Sequence, residues 1–386
     1  MKVLVSSLTY PLPNGVTSSI NESVDGLLQN NVSVEIVAPD YENGLSRPEH
    51  VTVSSSNLGN QVIKMFGIQG RKERNFGLTA KQEIEAIAEK FRPDVLWLHS
   101  TTYAPNAFER FAVASNLPLV VTYHTMIDVY AKQYAGKLGE LAMRARSKDV
   151  CNLADQVITP SNFIKERLLS FGVEKPINVI PTGIVPSNHP YSREELRKKF
   201  SLPINSKVLL FVGRVVKEKN VEFLIKNMQI IARHNPEAVL LFIGPGDIDA
   251  MKQLKDKFNL GEKVVFAGQL PLAETQRCYA GADVFVFASQ SETQGLVIGE
   301  AMMNNLPVVA LESPIAPEVY PDGTAFTANN ATGFNQLVIN VLKEKPEQVI
   351  ATAREFVERE FSKKQMTEKQ LNVLRAAIGV AVKIGG

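Results

Sequence analysis

Short, nearly continuous apolar runs recur along the whole chain, each ended by a turn residue and separated from the next by a helix-like stretch. In the first half they fall at residues 3–8, 34–38, 95–99, 119–124, 157–160 and 179–181, and in the second at 208–212, 239–243, 264–267, 284–288 and 308–310. A strand that is apolar at successive positions is buried on both faces, as in a parallel sheet covered by helices on either side. Between the strands the helical punctuation is explicit: Thr79 and Gln82 form a capping box ahead of Ile84, Ile87 and Ala88, and Arg92-Pro93 ends that helix after Phe91. Residues 181–203 carry Pro181, Pro186, Pro190 and Pro203 and a Ser192/Glu195 capping box, which reads as a linker with one short helix. The chain is therefore expected to be α/β, with Rossmann-like units at residues 1–185 and 186–361. Residues 362–386 keep a helical period without a strand of their own, so they must pack on another surface, the N-terminal unit being the expected one. In such folds the default ligand site is the cleft outside the carboxyl ends of the strands, here expected between the two units.

Composition narrows the function. The 42 Lys and Arg against 40 Asp and Glu leave a net charge of +2, too little for a protein that neutralises many nucleic-acid phosphates, so no nucleic-acid partner is expected. Cys151 and Cys278 lie 127 positions apart with no Cys or His cluster near them, which argues against a disulfide framework and against a zinc site. The longest apolar runs, such as 376–382, reach about seven residues, whereas a membrane helix needs roughly 20. The opening Met-Lys-Val-Leu-Val-Ser-Ser turns polar at once, without the apolar stretch of a secretory signal, and a cytoplasmic location is expected.

Four segments carry chemistry-bearing residues at strand ends. After the strand at 208–212, Gly213 is followed by Arg214 and Lys219, two cations suited to an anion, before a helix for which Asn220 is the expected cap. After the strand at 284–288, Ser291-Glu292-Thr293-Gln294-Gly295-Leu296 leads into a helix expected to start near Gly295, with Glu300 in its second turn. The amides of such a helix start suit a phosphate, and the two carboxylates suit sugar hydroxyls. Gly15 lies between the first strand and first helix, with Thr17 or Ser18 as cap candidates; neither a three-glycine dinucleotide fingerprint nor a P-loop is present. His124 ends its strand, as His99 does. Each segment also has a bland reading as solvated loop, plain turn or structural histidine, and no triad spacing stands out.

In combination, Gly15, His124, Pro181-Thr182-Gly183, Gly213-Arg214 with Lys219-Asn220, and Glu292 with Glu300 follow the order found in the retaining glycosyltransferases of family 4. The chain resembles that family, whose fold is GT-B, over essentially its whole length. Through Tyr123-His124-Thr125 and Glu292-Thr293-Gln294-Gly295-Leu296 it looks most like the members that glycosylate membrane lipids, such as diacylglycerol glucosyltransferases and sulfoquinovosyltransferases. The resemblance implies transfer of a hexose from a nucleotide-diphosphate sugar, UDP-glucose or a relative, with retention of configuration, no cofactor and no essential metal. It implies that Arg214 and Lys219 neutralise the departing diphosphate, and that Gly15, Gly213, Thr293, Gln294, Gly295 and Leu296 line the donor site. Glu300 would hold the ribose, Glu292 the donor sugar's hydroxyls, and His124 would contact that sugar near the reacting carbon. Glu292 is not cast as a covalent nucleophile, since retaining hydrolysis by two carboxylates sets them about 5 Å apart across one bond. Two departures stand out: Met303-Asn304-Asn305 replaces a small residue and Gly, with Asn305 able to take the left-handed turn, and residues 313–318 lack glycines common in the family.

The implied acceptor is a membrane lipid such as diacylglycerol, and the implied location is peripheral on the inner membrane face. Two basic stretches with apolar teeth fit an anionic surface: residues 62–78, with Lys64, Arg71, Lys72 and Arg74, and residues 132–148, with Lys137, Arg144 and Arg146. The alternatives are a soluble or polysaccharide acceptor, a GT-B epimerase, and a non-catalytic sugar-nucleotide-binding protein.

Overall fold

The computed structural model describes residues 1–10, 12, 14–39, 51–54, 80–99 and 106–384. The chain divides into two compact units, one of Met1–Gly183 with Lys363–Gly386, the other Ile184–Ser362.

The first unit runs β1 (Lys2–Ser6), α1 (Gly15–Gln29), β2 (Ser33–Pro39), β3 (Val51–Ser54), α2 (Ala80–Phe91), β4 (Val95–Leu98), α3 (Ala107–Ser115), β5 (Leu119–Thr122), α4 (Ile127–Leu153), β6 (Gln156–Thr159), α5 (Asn162–Ser170) and β7 (Ile177–Val179). Its strands form one parallel sheet in the order β3-β2-β1-β4-β5-β6-β7. Successive side chains point to opposite faces. Leu4, Leu96 and Val121 thus pack with Ile84, Phe108 and Ile164 on one side, and Val3, Val5, Trp97 and Val120 with Ile20 and Leu27 on the other. Each such side chain contributes about 1.5–3 kcal/mol by leaving water.

The second face is completed from the far end of the chain, by α14 (Lys363–Ile384, numbered in chain order), whose Met366, Leu371, Leu374 and Ala377 join the cluster around Ile20 and Leu27. Polar ties fix its approach: Gln370 Nε2 donates to Ser23 Oγ at 2.9 Å, and Lys363 Nζ lies 2.8 Å from Glu22. At Gly183 an added Cβ would stand 2.5 Å from the Lys363 Cα, so the glycine of Pro181-Thr182-Gly183 is required by close backbone approach. Thr182 donates to Ser19 Oγ at 2.8 Å.

The second unit runs α6 (Arg193–Lys199), β8 (Lys207–Val212), α7 (Val221–His234), β9 (Ala238–Ile243), α8 (Ile248–Lys257), β10 (Val264–Gly268), α9 (Leu272–Cys278), β11 (Val284–Phe287), α10 (Leu296–Met303), β12 (Val308–Leu311), α11 (Ala316–Val319), β13 (Phe326–Ala328), α12 (Ala331–Lys343) and α13 (Glu347–Glu360). The sheet order β10-β9-β8-β11-β12-β13 is again fully parallel. The Ser192/Glu195 capping box opens α6 as the spacing requires, and Asn305 adopts φ 57° after α10.

Two strands lie outside the sequence expectation, β3 and β13. Both are edge strands, short and interrupted by Thr or Ser, so neither shows the continuous apolar run of a central strand. The cap expected from Thr17 or Ser18 is made instead by Asn14, whose side chain accepts from the amides of Val16 and Thr17 at 2.9 and 3.0 Å. Thr79 and the basic stretch 62–78 lie outside the described residues.

Candidate functional site

In each sheet the strand order reverses once, between β1 and β4 in the first unit and between β8 and β11 in the second. At such a point the loops leaving the two strands diverge and open a crevice, where ligands of open α/β sheets bind. The sequence places its cations and carboxylates on the two loops of the second unit's reversal: Gly213, Arg214 and Lys219 follow β8, and Glu292 to Leu296 follow β11.

The start of the first of these loops is zipped by backbone bonds to the loop after β9. Gly213 donates to Ile243 O at 3.0 Å and Val215 to Pro245 O at 2.7 Å, while Asp247 donates to Val215 O at 2.9 Å. This zip brings Gly244, at φ 143°, so near that an added Cβ would stand 2.0 Å from Gly213 O. A 3₁₀ turn at Lys217–Lys219 follows, and Asn220 enters α7 at φ 53°. Its side chain does not cap that helix, contrary to expectation. The left-handed backbone turns it away, and its Nδ2 donates to Ala288 O at 3.4 Å, on the neighbouring loop.

The charges are paired. Arg214, 46% exposed, lies 3.0 Å from Glu218, which is 8% exposed. Lys219 Nζ donates to Glu292 Oε1 at 2.5 Å, and both side chains are largely covered. The Glu218 carbonyl accepts from Ser289 Oγ at 3.5 Å and Ser291 Oγ at 3.4 Å, so the loops after β8 and β11 are laced together. Tyr320 lies near enough to feel the Glu292 charge. Burial pushes its phenol upward, and the Glu292 charge adds to the shift while a bond to Ser313 opposes it.

Gly295 takes φ 66° as α10 begins, and as a glycine it offers that helix no capping side chain of its own. Leu296 is its first residue; Thr293 is part-exposed and Gln294 buried just before it. Glu300, one turn on, accepts from Tyr279 Oη at 2.5 Å. Tyr279 is wholly buried, and desolvation, followed by the Glu300 charge, drives its pKa well above the usual phenol value. Spacing from a glycine motif does not reveal Glu218 or Tyr279. Glu218 stands one helical turn after Arg214, a pairing signal; Tyr279 has no local signal, since it arrives from α9.

In the first unit, Gly15 is the exposed first residue of α1. His124 follows β5 and is part-buried; His99 follows β4 and is 1% exposed. His99 Nδ1 and His124 Nε2 lie 3.0 Å apart, a pairing the sequence does not announce. Burial lowers His124 to about 4, and burial followed by the His124 neighbour lowers His99 well below the usual imidazole value. Both rings are neutral at pH 7.

Among the basic residues of 132–148, two are structural. Arg146 is buried against Glu109, with Nη2 within 2.5 Å of its carboxylate, and Arg144 is tied to Glu140 and Asp128. Cys151 and Cys278 are buried free thiols, each pushed up to about 12 by desolvation first. Among the described residues no group of three or more His, Cys, Asp or Glu is placed to hold a metal, and no helix is long and apolar enough to cross a membrane.

Two parallel sheets of reversing order, with a cation-bearing loop and a glycine-led helix start at the second reversal, define a GT-B architecture. Comparison with known proteins agrees with this at the level of family. Residues 13–188 match the domain described as Glycosyltransferase Family 4, and residues 192–356 match Glycosyl transferases group 1. The chain belongs to these glycosyltransferase families through both of its halves. It is 32% identical over 240 residues to sulfoquinovosyl transferase SQD2 of Arabidopsis thaliana, covering 60% of this chain and 45% of that protein. It is 28% identical over 262 residues to alpha-monoglucosyldiacylglycerol synthase of Streptococcus pneumoniae, covering 65% of this chain and 59% of that protein. The matched stretch thus spans about half the length of these two relatives. In fold it is similar to Anabaena Alr3699/HepE in complex with UDP and glucose, with a TM-score of 0.77, 17% identity, and 97% and 100% of the two chains covered.

Proposed function

We propose that the protein transfers a hexose from a nucleotide-diphosphate sugar, UDP-glucose or a close relative, to a lipid hydroxyl such as that of diacylglycerol, with retention of configuration. The observation that carries this reading is the Lys219–Glu292 pair beside Arg214, where the loops after β8 and β11 meet. Transfer leaves negative charge on the departing diphosphate. Fixed cations stabilise that charge where water is scarce, and a preorganised donor of this kind is worth about 10²–10³ in rate. Arg214 and Lys219 supply it in place of a metal ion, and the first amides of α10, at Leu296 and Val297, add a favourable dipole end. Glu292, held by Lys219, accepts from the sugar's hydroxyls. Glu300, braced by Tyr279, accepts from the ribose. Gly213, Thr293, Gln294 and Gly295 shape the donor pocket, and Gly15 and His124 keep the donor roles that the family resemblance implies.

The name of the Streptococcus pneumoniae relative, alpha-monoglucosyldiacylglycerol synthase, supports a lipid acceptor, and the UDP and glucose recorded with the structural neighbour support the donor. A surface in the first unit adds to the lipid reading. Helix α4 breaks at Ala135–Gly136, and beyond the break Leu138 and Leu141 are 81% and 51% exposed. Exposed Ala142 and Ala145 extend them into one stripe, with exposed Lys132 and Lys137 close by in sequence. Such a helix face suits an anionic headgroup layer and so supports a location on the inner face of the membrane.

The test incubates the protein with UDP- and GDP-sugars, with and without diacylglycerol liposomes, and measures nucleotide release and glycolipid. Sugar appearing on lipid, with release that depends on liposomes, is expected. Release indifferent to liposomes overturns the lipid acceptor, and donor binding without turnover on any acceptor overturns catalysis.

A further inference from the structure

We propose that His99 fixes the tautomer of His124, so that His124 presents an Nδ1–H donor to its ligand and not a basic lone pair. The two rings are set at 20° with centroids 5.3 Å apart, and His99 Nδ1 lies 3.0 Å from His124 Nε2. His99 is held firmly. Its backbone N–H donates to Ser6 O at 2.9 Å, and its ring lies 4.3 Å from Trp97, whose Nε1–H donates to Thr122 Oγ1 at 2.8 Å.

The second ring nitrogen of His99, Nε2, is buried and has no hydrogen-bond partner among the described residues. Two proton arrangements satisfy the bond between two neutral rings. If His124 Nε2 donates, His99 carries its own proton on Nε2 and seals an N–H away from any acceptor. If His99 Nδ1 donates, the sealed atom is only a lone pair. An orphaned buried N–H is the rarer and more damaging defect, and this outweighs the mild preference of a free imidazole for its Nε2–H form. His124 Nε2 is then occupied as an acceptor, and its proton sits on Nδ1, which makes no hydrogen bond among the described residues.

An Nδ1–H meets oxygen lone pairs, those of a sugar hydroxyl or a phosphate. It takes no proton from an attacking hydroxyl. His99 is accordingly a positioning residue, and the inference rests on the donor-sugar role proposed above for His124.

The chain has five histidines, so ¹⁵N-histidine long-range correlation spectra of the intact protein resolve each tautomer. The expected wild-type spectrum shows His124 as Nδ1–H. His99→Phe shifts it toward Nε2–H and lowers kcat by about tenfold or more with donor KM little changed. His99→Asn, whose amide nitrogen stands near the place of Nδ1, restores both. An Nε2–H His124 in the wild type overturns the proposal, as does a His99→Phe spectrum identical to wild type. The expected spectra together with full transfer by His124→Phe leave the tautomer assignment standing and overturn the donor-sugar role.

Discussion

Lys219 Nζ donates to the Glu292 carboxylate at 2.5 Å, joining the loop after β8 to the loop after β11 across the reversal of the second sheet. Each partner sets the other's position, so the two substitutions separate binding from turnover. If Lys219 faces the departing diphosphate, Lys219→Ala is expected to weaken UDP binding and to lower kcat about 10²-fold or more. Glu292→Gln is expected to lower transfer by a similar factor while UDP affinity holds or rises, since it frees the lysine from its partner. Calorimetric titration with UDP beside steady-state kinetics decides this, and equal losses of UDP affinity in both variants would contradict it.

Gly244→Ala is expected to destabilise the protein by about 2–4 kcal/mol and to loosen UDP binding. Its new methyl would stand 2.0 Å from Gly213 O in a backbone at φ 143°, so the zip that holds the Arg214 loop must open. Urea unfolding measures the first effect. Gly323→Ala, also at positive φ but with open space around it, is the control for backbone strain alone.

Acid should weaken the first unit through its histidine pair. His124 in the folded state sits at about 4 against an unfolded value of 6.5, and His99 is lowered too, so the unfolded chain binds more protons between these limits. The stability of the neutral pair is present in full above pH 6.5 and is lost as pH falls toward 4. Urea midpoints measured from pH 7.5 to 4.5 should decline, and the His99→Phe/His124→Phe double variant should show a flatter decline over that window.

The sequence makes the central strands, the capping box at Ser192/Glu195 and the left-handed Asn305 legible, because each is decided by neighbours a few residues away. The linker prolines likewise mark where one unit gives way to the next. Edge strands β3 and β13 are not legible, since strands this short and interrupted by Thr or Ser lack a continuous apolar run. At the site, residue types and strand ends are readable, but pairings are not. Nothing near Glu292 in sequence says that Lys219 will meet it 73 positions away, nor near His124 that His99 will. Arg146 shows the opposite error: a cation in a basic stretch reads as surface, and only the fold reveals Glu109 beneath it.

Tyr279 gives Glu300 its place, and Tyr279→Phe tests what that place is for. The phenol is buried and donates to the Glu300 carboxylate at 2.5 Å, and in the Phe variant the ring still fills its cavity without the hydroxyl. Loss of a hydrogen bond to a charged group is worth about 1.5–3 kcal/mol. If Glu300 holds the ribose, that loss should appear as donor KM raised roughly tenfold with kcat nearly constant, since the ribose is bound alike in ground and transition states.

Leu138 and Leu141 offer the sharpest division between chemistry and location. Both project from α4 beyond its break, 81% and 51% exposed, so Asp in their place meets water and leaves the core untouched. Unfolding midpoints of the Leu138→Asp/Leu141→Asp variant should match wild type within about 0.5 kcal/mol. If the stripe seats on an anionic surface, each lost leucine removes its buried apolar area and each new carboxylate is repelled. Co-sedimentation with phosphatidylglycerol vesicles should therefore fall by tenfold or more, on the order of 1.4 kcal/mol at least. Turnover on a short-chain, water-soluble acceptor should persist, because the groups proposed to handle the donor, Arg214, Lys219 and Glu292, belong to loops of the second unit. Unchanged vesicle binding would move the membrane contact elsewhere on the chain, whereas loss of turnover on both acceptors would make α4 part of the acceptor site itself.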